Sequence, residues 1–130
     1  CARAGFPRVT GVEVSSGAIS SAISAARHAG LSRSAASFIA DDATSWARAQ
    51  SPEAVPDVIV VNPPRRGIGA DLAAFLNECD APRVIYSSCN PASLATDLAA
   101  MPSLRPVEGR LFDMFPHTAH AEVALLLERA

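Results

Sequence analysis

The chain contains no lysine. All eleven of its basic residues are arginine, and thirteen acidic residues outnumber them, so the net charge over 130 residues is −2. A free-standing nucleic-acid binder usually carries a basic face, so any affinity for RNA has to come from local arginines or from other parts of a larger protein. Cysteine is equally sparse. The three present, Cys1, Cys79 and Cys89, show neither CxxC nor Cys/His metal spacing, and their odd number does not suggest a disulfide framework. At least one thiol is left for chemistry. No apolar run approaches the roughly 20 residues that a membrane span needs, and Cys1–Gly5 lacks the charged and apolar regions of a secretion signal. The expected setting is cytoplasmic, with no membrane partner.

What is present reads as one domain, residues 1–130, of ordinary globular composition, 49% hydrophobic and 18% charged. Strand-like and helix-like runs alternate. Val9–Val14 predicts a strand, Ala18–His28 a helix closed by Gly30, Ala36–Ile39 a strand and Ser45–Gln50 a short helix. After a loop over 51–56 come a strand at Val58–Val61, a Pro/Gly loop, a helix at Ala70–Glu78, a strand at Arg83–Tyr86 and a helix at Pro91–Ala99. That alternation predicts an α/β fold with a parallel sheet covered on both faces. The tail breaks it. Pro106–Phe112 and Glu122–Leu127 are strand-like, joined through a turn at 113–116 without a helix, which predicts an antiparallel C-terminal pair.

In open α/β sheets, ligands bind beyond the carboxyl ends of the strands. Glu13, Asp42, Asn62 and Cys89 fall at or just past four such ends, and an antiparallel last strand would begin on the same edge, adding Glu122. A carboxylate at Glu13 can accept from two vicinal hydroxyls of a ribose, or be a solvated loop acid. Asp41 and Asp42 can meet an adenine amino group or cap the next helix. Asn62-Pro63-Pro64 is a stiff turn without amide donors at its prolines. The two arginines after it, Arg65 and Arg66, suit phosphates or are simply solvated. Cys79, near the helical pattern Leu72–Leu76, reads as a small buried apolar residue. Cys89, at a strand tip, reads as the functional thiol.

Three segments in order, VNPPRRGIG (61–69), YSSCNP (86–91) and DMFPHTAHAE (113–122), resemble the motifs of the S-adenosylmethionine-dependent RNA (uracil-C5)-methyltransferases, and most closely the bacterial enzymes for a uridine in 23S ribosomal RNA. The resemblance spans Val9–Leu127. It implies a Rossmann-like class I methyltransferase sheet, mostly parallel with an antiparallel C-terminal strand. It implies Cys89 as nucleophile and Glu122 as general base, with Glu13, Asp42 and Asn62 as contacts to S-adenosyl-L-methionine. His117 and His120 would orient their loop rather than bind a metal. RNA, with 23S rRNA foremost, is the implied partner.

The same resemblance shows what these residues leave out. Family proteins carry an N-terminal RNA-binding or iron–sulfur portion, a central domain and a Gly-rich first motif, so an iron–sulfur cluster belongs only to that N-terminal part. The sheet is therefore expected to lack its first strand, and its unpaired edges to favour self-association. Three other readings stand beside this one: a transfer-RNA uracil-C5 methyltransferase, a non-catalytic self-associating remnant, and an amino-group methyltransferase of the Asn-Pro-Pro type. The last is disfavoured, because Arg65 stands where a stacking aromatic would follow the turn and Cys89 would have no task.

Overall fold

Four consecutive β-branched residues at 58–61, bounded by Pro56-Asp57 and Asn62-Pro63, leave the backbone little alternative to a short strand. The computed structural model, which describes residues 1–51, 54–114, 116–118 and 120–130, has a strand over just those four. Pro52 and Glu53 of the expected 51–56 loop, Phe115 of the expected 113–116 turn, and Ala119 of the third motif lie outside the described residues. The chain folds as two compact units, 1–49 and 50–130.

In the first unit a single 3-10 turn, Ala2–Ala4, precedes β1 (Val9–Glu13), α1 (Ser16–His28), β2 (Ala36–Ala40) and α2 (Ala43–Arg48). β1 and β2 pair in parallel from Val9 opposite Ala36 to Glu13 opposite Ala40. Both helices begin on side-chain caps: Ser15 Oγ accepts from the Ala18 amide at 3.3 Å, and Asp42 Oδ1 from the Ser45 amide at 2.9 Å. The buried apolar residues here are few and small, Ile19, Ala36 and Ala47.

The second unit holds β3 (Val58–Val61), α3 (Ala70–Glu78), β4 (Arg83–Ser88), α4 (Pro91–Ala99), β5 (Leu104–Phe112) and β6 (Glu122–Arg129), with sheet order β3-β4-β6-β5. β3 and β4 are parallel, and β6 runs antiparallel to both β4 and β5. The expected antiparallel C-terminal pair is thus present at one end of this sheet, with β6 between β4 and β5. The α/β class is as expected, and the strands are hydrogen-bonded as two sheets, one in each unit. Among the described residues, β1 and β2 pair with each other.

Alternation decides the faces of the second sheet. Val84 and Tyr86 of β4, with Leu127 of β6, point into a core completed by Leu76 of α3 and Met101, all five with no exposed surface. Ser88 is buried on that side too. Ile85 and Ser87 point the other way. Edge strand β5 carries Pro106, which cannot donate to a ladder, and its register slips by one residue between Pro106 and Glu108, a bulge of the kind edges tolerate. Arg129 closes α3: its guanidinium donates to the carbonyls of Leu76 and Asn77 at 2.7 Å and of Ala81 at 3.3 Å, groups left unpaired by the helix end.

Candidate active site

β4 runs into α4 through Cys89 and Asn90, and both neighbours of the cysteine are fixed. Ser88 Oγ accepts from the Asn90 amide at 3.0 Å and donates to its carbonyl at 3.0 Å. Asn90 caps α4, its Oδ1 accepting from the Ala92 amide at 3.1 Å, with Pro91 in the first helical turn where its missing amide costs nothing. Cys89 is a free, half-buried thiol held between these two anchored residues. Cys79 differs. It sits just past the end of α3, half-buried, its Sγ 3.5 Å from the Arg129 guanidinium, and serves the helix end.

The loop after β3 is tied to the same helix at two points. Asn90 Nδ2 donates to the Arg65 carbonyl at 2.8 Å. Farther along α4 the buried Asp97 carboxylate accepts from the Ile68 amide at 3.0 Å and from the Tyr86 hydroxyl at 2.5 Å, both at Oδ2. Gly67 is required at the crossing. Its φ is +86°, and a Cβ there would lie 2.3 Å from Asp97 Oδ2. Burial first, and then the Asp97 hydrogen bond and charge, push the Tyr86 hydroxyl well above the ordinary tyrosine range, so it stays a donor. Asn62, Arg65 and Arg66 remain exposed on a loop whose path is fixed.

Register brings the remaining groups together. The last parallel pair is Val61 with Tyr86, so Asn62 and Ser87 follow it on the face away from the core. In the antiparallel ladder Ser87 faces Ala124 and Ser88 faces Val123, which puts Glu122 diagonally across from Ser87 on that same face. Phe112 faces Glu122 from β5. The result is a shallow cavity of about 350 Å³ lined by Asn62, Ser87, Phe112, Met114 and Glu122. In it Ser87 Oγ donates to Glu122 Oε1 at 2.5 Å. Cys89 lies one residue beyond β4, at a bend in the chain, and the lining of this cavity does not include it.

Glu13 and Asp42 belong to the first unit. Glu13 ends β1, exposed, with Oε1 accepting from the Ser15 amide at 2.9 Å. Asp42 caps α2, and its carboxyl is held below the ordinary range chiefly by the Ser45 amide, then by the Ser45 hydroxyl and the Thr44 amide, against a small opposing effect of desolvation. Another cavity of about 280 Å³, lined by Ile23, Arg27, Leu31, Arg33 and Phe38 among others, lies toward the start of β2 and includes none of the expected site residues. Of the histidines, His120 Nδ1 lies 3.4 Å from Arg65 Nη2, so the third motif does reach the arginine loop, while His117 is exposed with φ +65°. Among the described residues no three His, Cys, Asp or Glu side chains gather into a metal-ligating group, and no helix is long and apolar enough to cross a membrane.

Five participants carried no role in the sequence reading: Ser87, Asn90, Asp97, Phe112 and Met114. The period-2 alternation of β4 was a usable signal for Ser87, two residues before Cys89, and Asn90-Pro91 is a recognisable cap. Asp97 gave none, because a lone acid on a helix reads as solvated.

The model of the family described as tRNA (uracil-5-)-methyltransferase matches residues 53–130. The 23S rRNA (uracil(747)-C(5))-methyltransferase RlmC of Halothiobacillus neapolitanus is 50% identical over 123 residues, 94% of this chain and 32% of the relative. Among solved structures, the Pyrococcus abyssi tRNA (uracil-54, C5)-methyltransferase in complex with S-adenosyl-L-homocysteine superposes with a TM-score of 0.82 at 31% identity, covering 97% of this chain and 30% of that one. The magnesium protoporphyrin IX methyltransferase of Synechocystis, at 15% identity and a TM-score of 0.69, shares the fold, a Rossmann-like α/β methyltransferase sheet. The chain spans about a third of the length of the relatives it matches. With over half of its residues matched by that family's model, and with the three motifs standing at the strand ends where they converge, the chain belongs to the tRNA (uracil-5-)-methyltransferase family.

Proposed function

We propose that this chain carries the catalytic centre of an enzyme that moves a methyl group from S-adenosyl-L-methionine to carbon 5 of a uridine in RNA, with 23S rRNA as the substrate. The observation that supports it most is the β4–β6 register, which sets Glu122 beside Ser87 at the edge where Cys89 leaves the strand.

The proposed cofactor contacts are of a suitable chemical type within each unit: Glu13 and Asp42 are exposed carboxylates whose bonds to Ser15 and Ser45 engage one oxygen of each, and Asn62 is an exposed amide just after β3. The cofactor supplies an electrophilic methyl on a sulfonium. Carbon 5 of uracil is a poor nucleophile. The Cys89 thiolate adds to carbon 6, and the electron pair of the carbon 5–carbon 6 double bond moves toward carbon 5 and the carbonyl to make an enolate. Carbon 5 would then take the sulfonium methyl that the bound cofactor supplies, the bonding pair staying on sulfur as a neutral thioether. Glu122 then removes the carbon 5 proton, and the electron pair that held it re-forms the double bond as the Cys89 sulfur leaves. Arg65 and Arg66 are available for RNA phosphates. The apolar Phe112 and Met114, beside Asn62 and Glu122, suit a planar base or the methionine arm.

The ribosomal substrate is favoured over transfer RNA by the 50% identity to an enzyme named for 23S rRNA, against 31% for one named for tRNA. The enzyme would work in the cytoplasm, where its substrate is made. The full-length gene product should transfer tritium from methyl-labelled S-adenosylmethionine to 23S rRNA, and nuclease mapping should find the label in 5-methyluridine. Label in tRNA alone would correct the substrate. No transfer to either RNA, with light scattering showing a self-associated protein, would establish the non-catalytic remnant instead.

A further inference from the structure

We infer that Ser87 is a positioning residue for Glu122, setting the orientation in which that carboxylate takes the carbon 5 proton; this rests on the catalytic reading above. Two independent features support it. Ser87 Oγ donates to Glu122 Oε1, which engages one oxygen of the carboxylate. Strand alternation and register then place Ser87 and Glu122 on one face, with Asn62 following β3 on that face as well and all three lining one cavity. A serine fits the spot for a physical reason. The β4 residues on either side, Tyr86 and Ser88, face the core, whereas Ser87 is half-buried on a partly wetted face, where a short hydroxyl can reach a carboxylate diagonally across the ladder. Without the hydroxyl, Glu122 loses the partner that fixes its rotamer. Proton removal should slow, while thiol addition and methyl transfer proceed.

The test compares Ser87→Thr with Ser87→Val in the full-length gene product. Both side chains are β-branched and suit a strand, so they differ only in a hydroxyl against a methyl. Ser87→Val should turn over about tenfold more slowly, accumulate a methylated protein–RNA adduct visible on denaturing gels, and keep the wild-type KM for S-adenosylmethionine. Ser87→Thr should restore most of the turnover and remove the adduct. Equal turnover in the two variants, or a loss in Ser87→Val that appears in the cofactor KM without adduct, would overturn the positioning role. Glu122→Gln is run alongside. If it turns over like the wild type, the base assignment itself falls, an outcome distinct from any difference between the Ser87 variants.

Discussion

The two units of the chain handle polar groups in opposite ways. In unit 50–130 the strand tips stand on a core of five fully buried side chains, and the loops that bear Asn62 and Cys89 are bolted to α4 through Asn90 and Asp97. In unit 1–49 two parallel strands and two helices bury Ile19 and two alanines, and the tips present exposed carboxylates held by local caps. A two-stranded sheet with so little core is marginal by itself. On the proposed reading, bond-making chemistry, which is sensitive to misplacement by about 1 Å, would fall in unit 50–130, and recognition of hydroxyls, which tolerates adjustment, in unit 1–49.

Removing one group from each unit should give effects of different kind. Cys89→Ala should lower methyl transfer by about 10⁴-fold or more, since no other group can form the adduct, while Cys79→Ala should keep most activity because that thiol serves a helix end. Glu13→Gln should raise the KM for S-adenosylmethionine with a smaller change in kcat. Steady-state assays with labelled cofactor decide this. Full activity in Cys89→Ala would sink the nucleophile assignment, and a kcat collapse in Glu13→Gln would break the division of labour.

Glu122→Gln sharpens the same contrast within the second unit. An amide can occupy the carboxylate's space and still accept from Ser87, yet it cannot take the carbon 5 proton. Methylation should therefore proceed once and stall as a covalent protein–RNA adduct. A denaturing gel showing no adduct above the Cys89→Ala control would mean that Glu122 acts earlier, or not as the base.

The helices α3 and α4 and the strand β3 were legible to the residue, because glycine, proline and cap residues punctuate them: Gly69 before Ala70, Asn90 before Pro91, Asn62-Pro63 after Val61. α2 starts at Ala43 rather than Ser45, which the Asp42 cap, taken seriously, already marks. β5 begins at Leu104, two residues before the proline at which a strand seemed to start, since an edge strand tolerates Pro106 at a bulge. The placement of the candidate residues was legible where type and position coincide, as with Cys89 just past the end of β4 and Glu122 at the start of β6. The groups hydrogen-bonded to that region were harder to read. The alternation of β4 marks the face of Ser87 but not its partner 35 residues away, and Asp97 acquires meaning only from its bond to Tyr86, 11 residues away in sequence.

The contrast in packing is measurable without catalysis. Leu76→Ala should cost about 3–5 kcal/mol, the range for emptying a fully enclosed site, whereas Ile19→Ala in the thinly packed unit should lie near the low end, about 2 kcal/mol. Native-state hydrogen exchange adds a second reading: β1 and β2 amides should open at lower free energy than those of β4 and β6. If the amides of all four strands exchange only through one global unfolding step, the units share a single cooperative core and the comparison fails.

The smallest expected effect separates the two roles open to Asp42. Its carboxyl is held below 3.8, the ordinary value, first by the Ser45 amide and then by the Ser45 hydroxyl. A depressed folded-state value means that the carboxylate stabilises α2 fully above the unfolded value and loses that contribution as pH falls through the folded one. The window therefore lies below pH 3.8, and the cap is intact at neutral pH. Asn caps a helix about as well as Asp, so Asp42→Asn should leave α2 amide protection almost unchanged, whereas Asp42→Ala should reduce it. If Asp42 also contacts the cofactor, both variants should bind S-adenosylmethionine more weakly by a similar factor in calorimetry, because a carboxylate acceptor is lost in each. A Kd weakened only in Asp42→Ala would assign the residue to capping alone. A carboxyl titration by carbon NMR that midpoints at or above 3.8 would show that the cap is not formed.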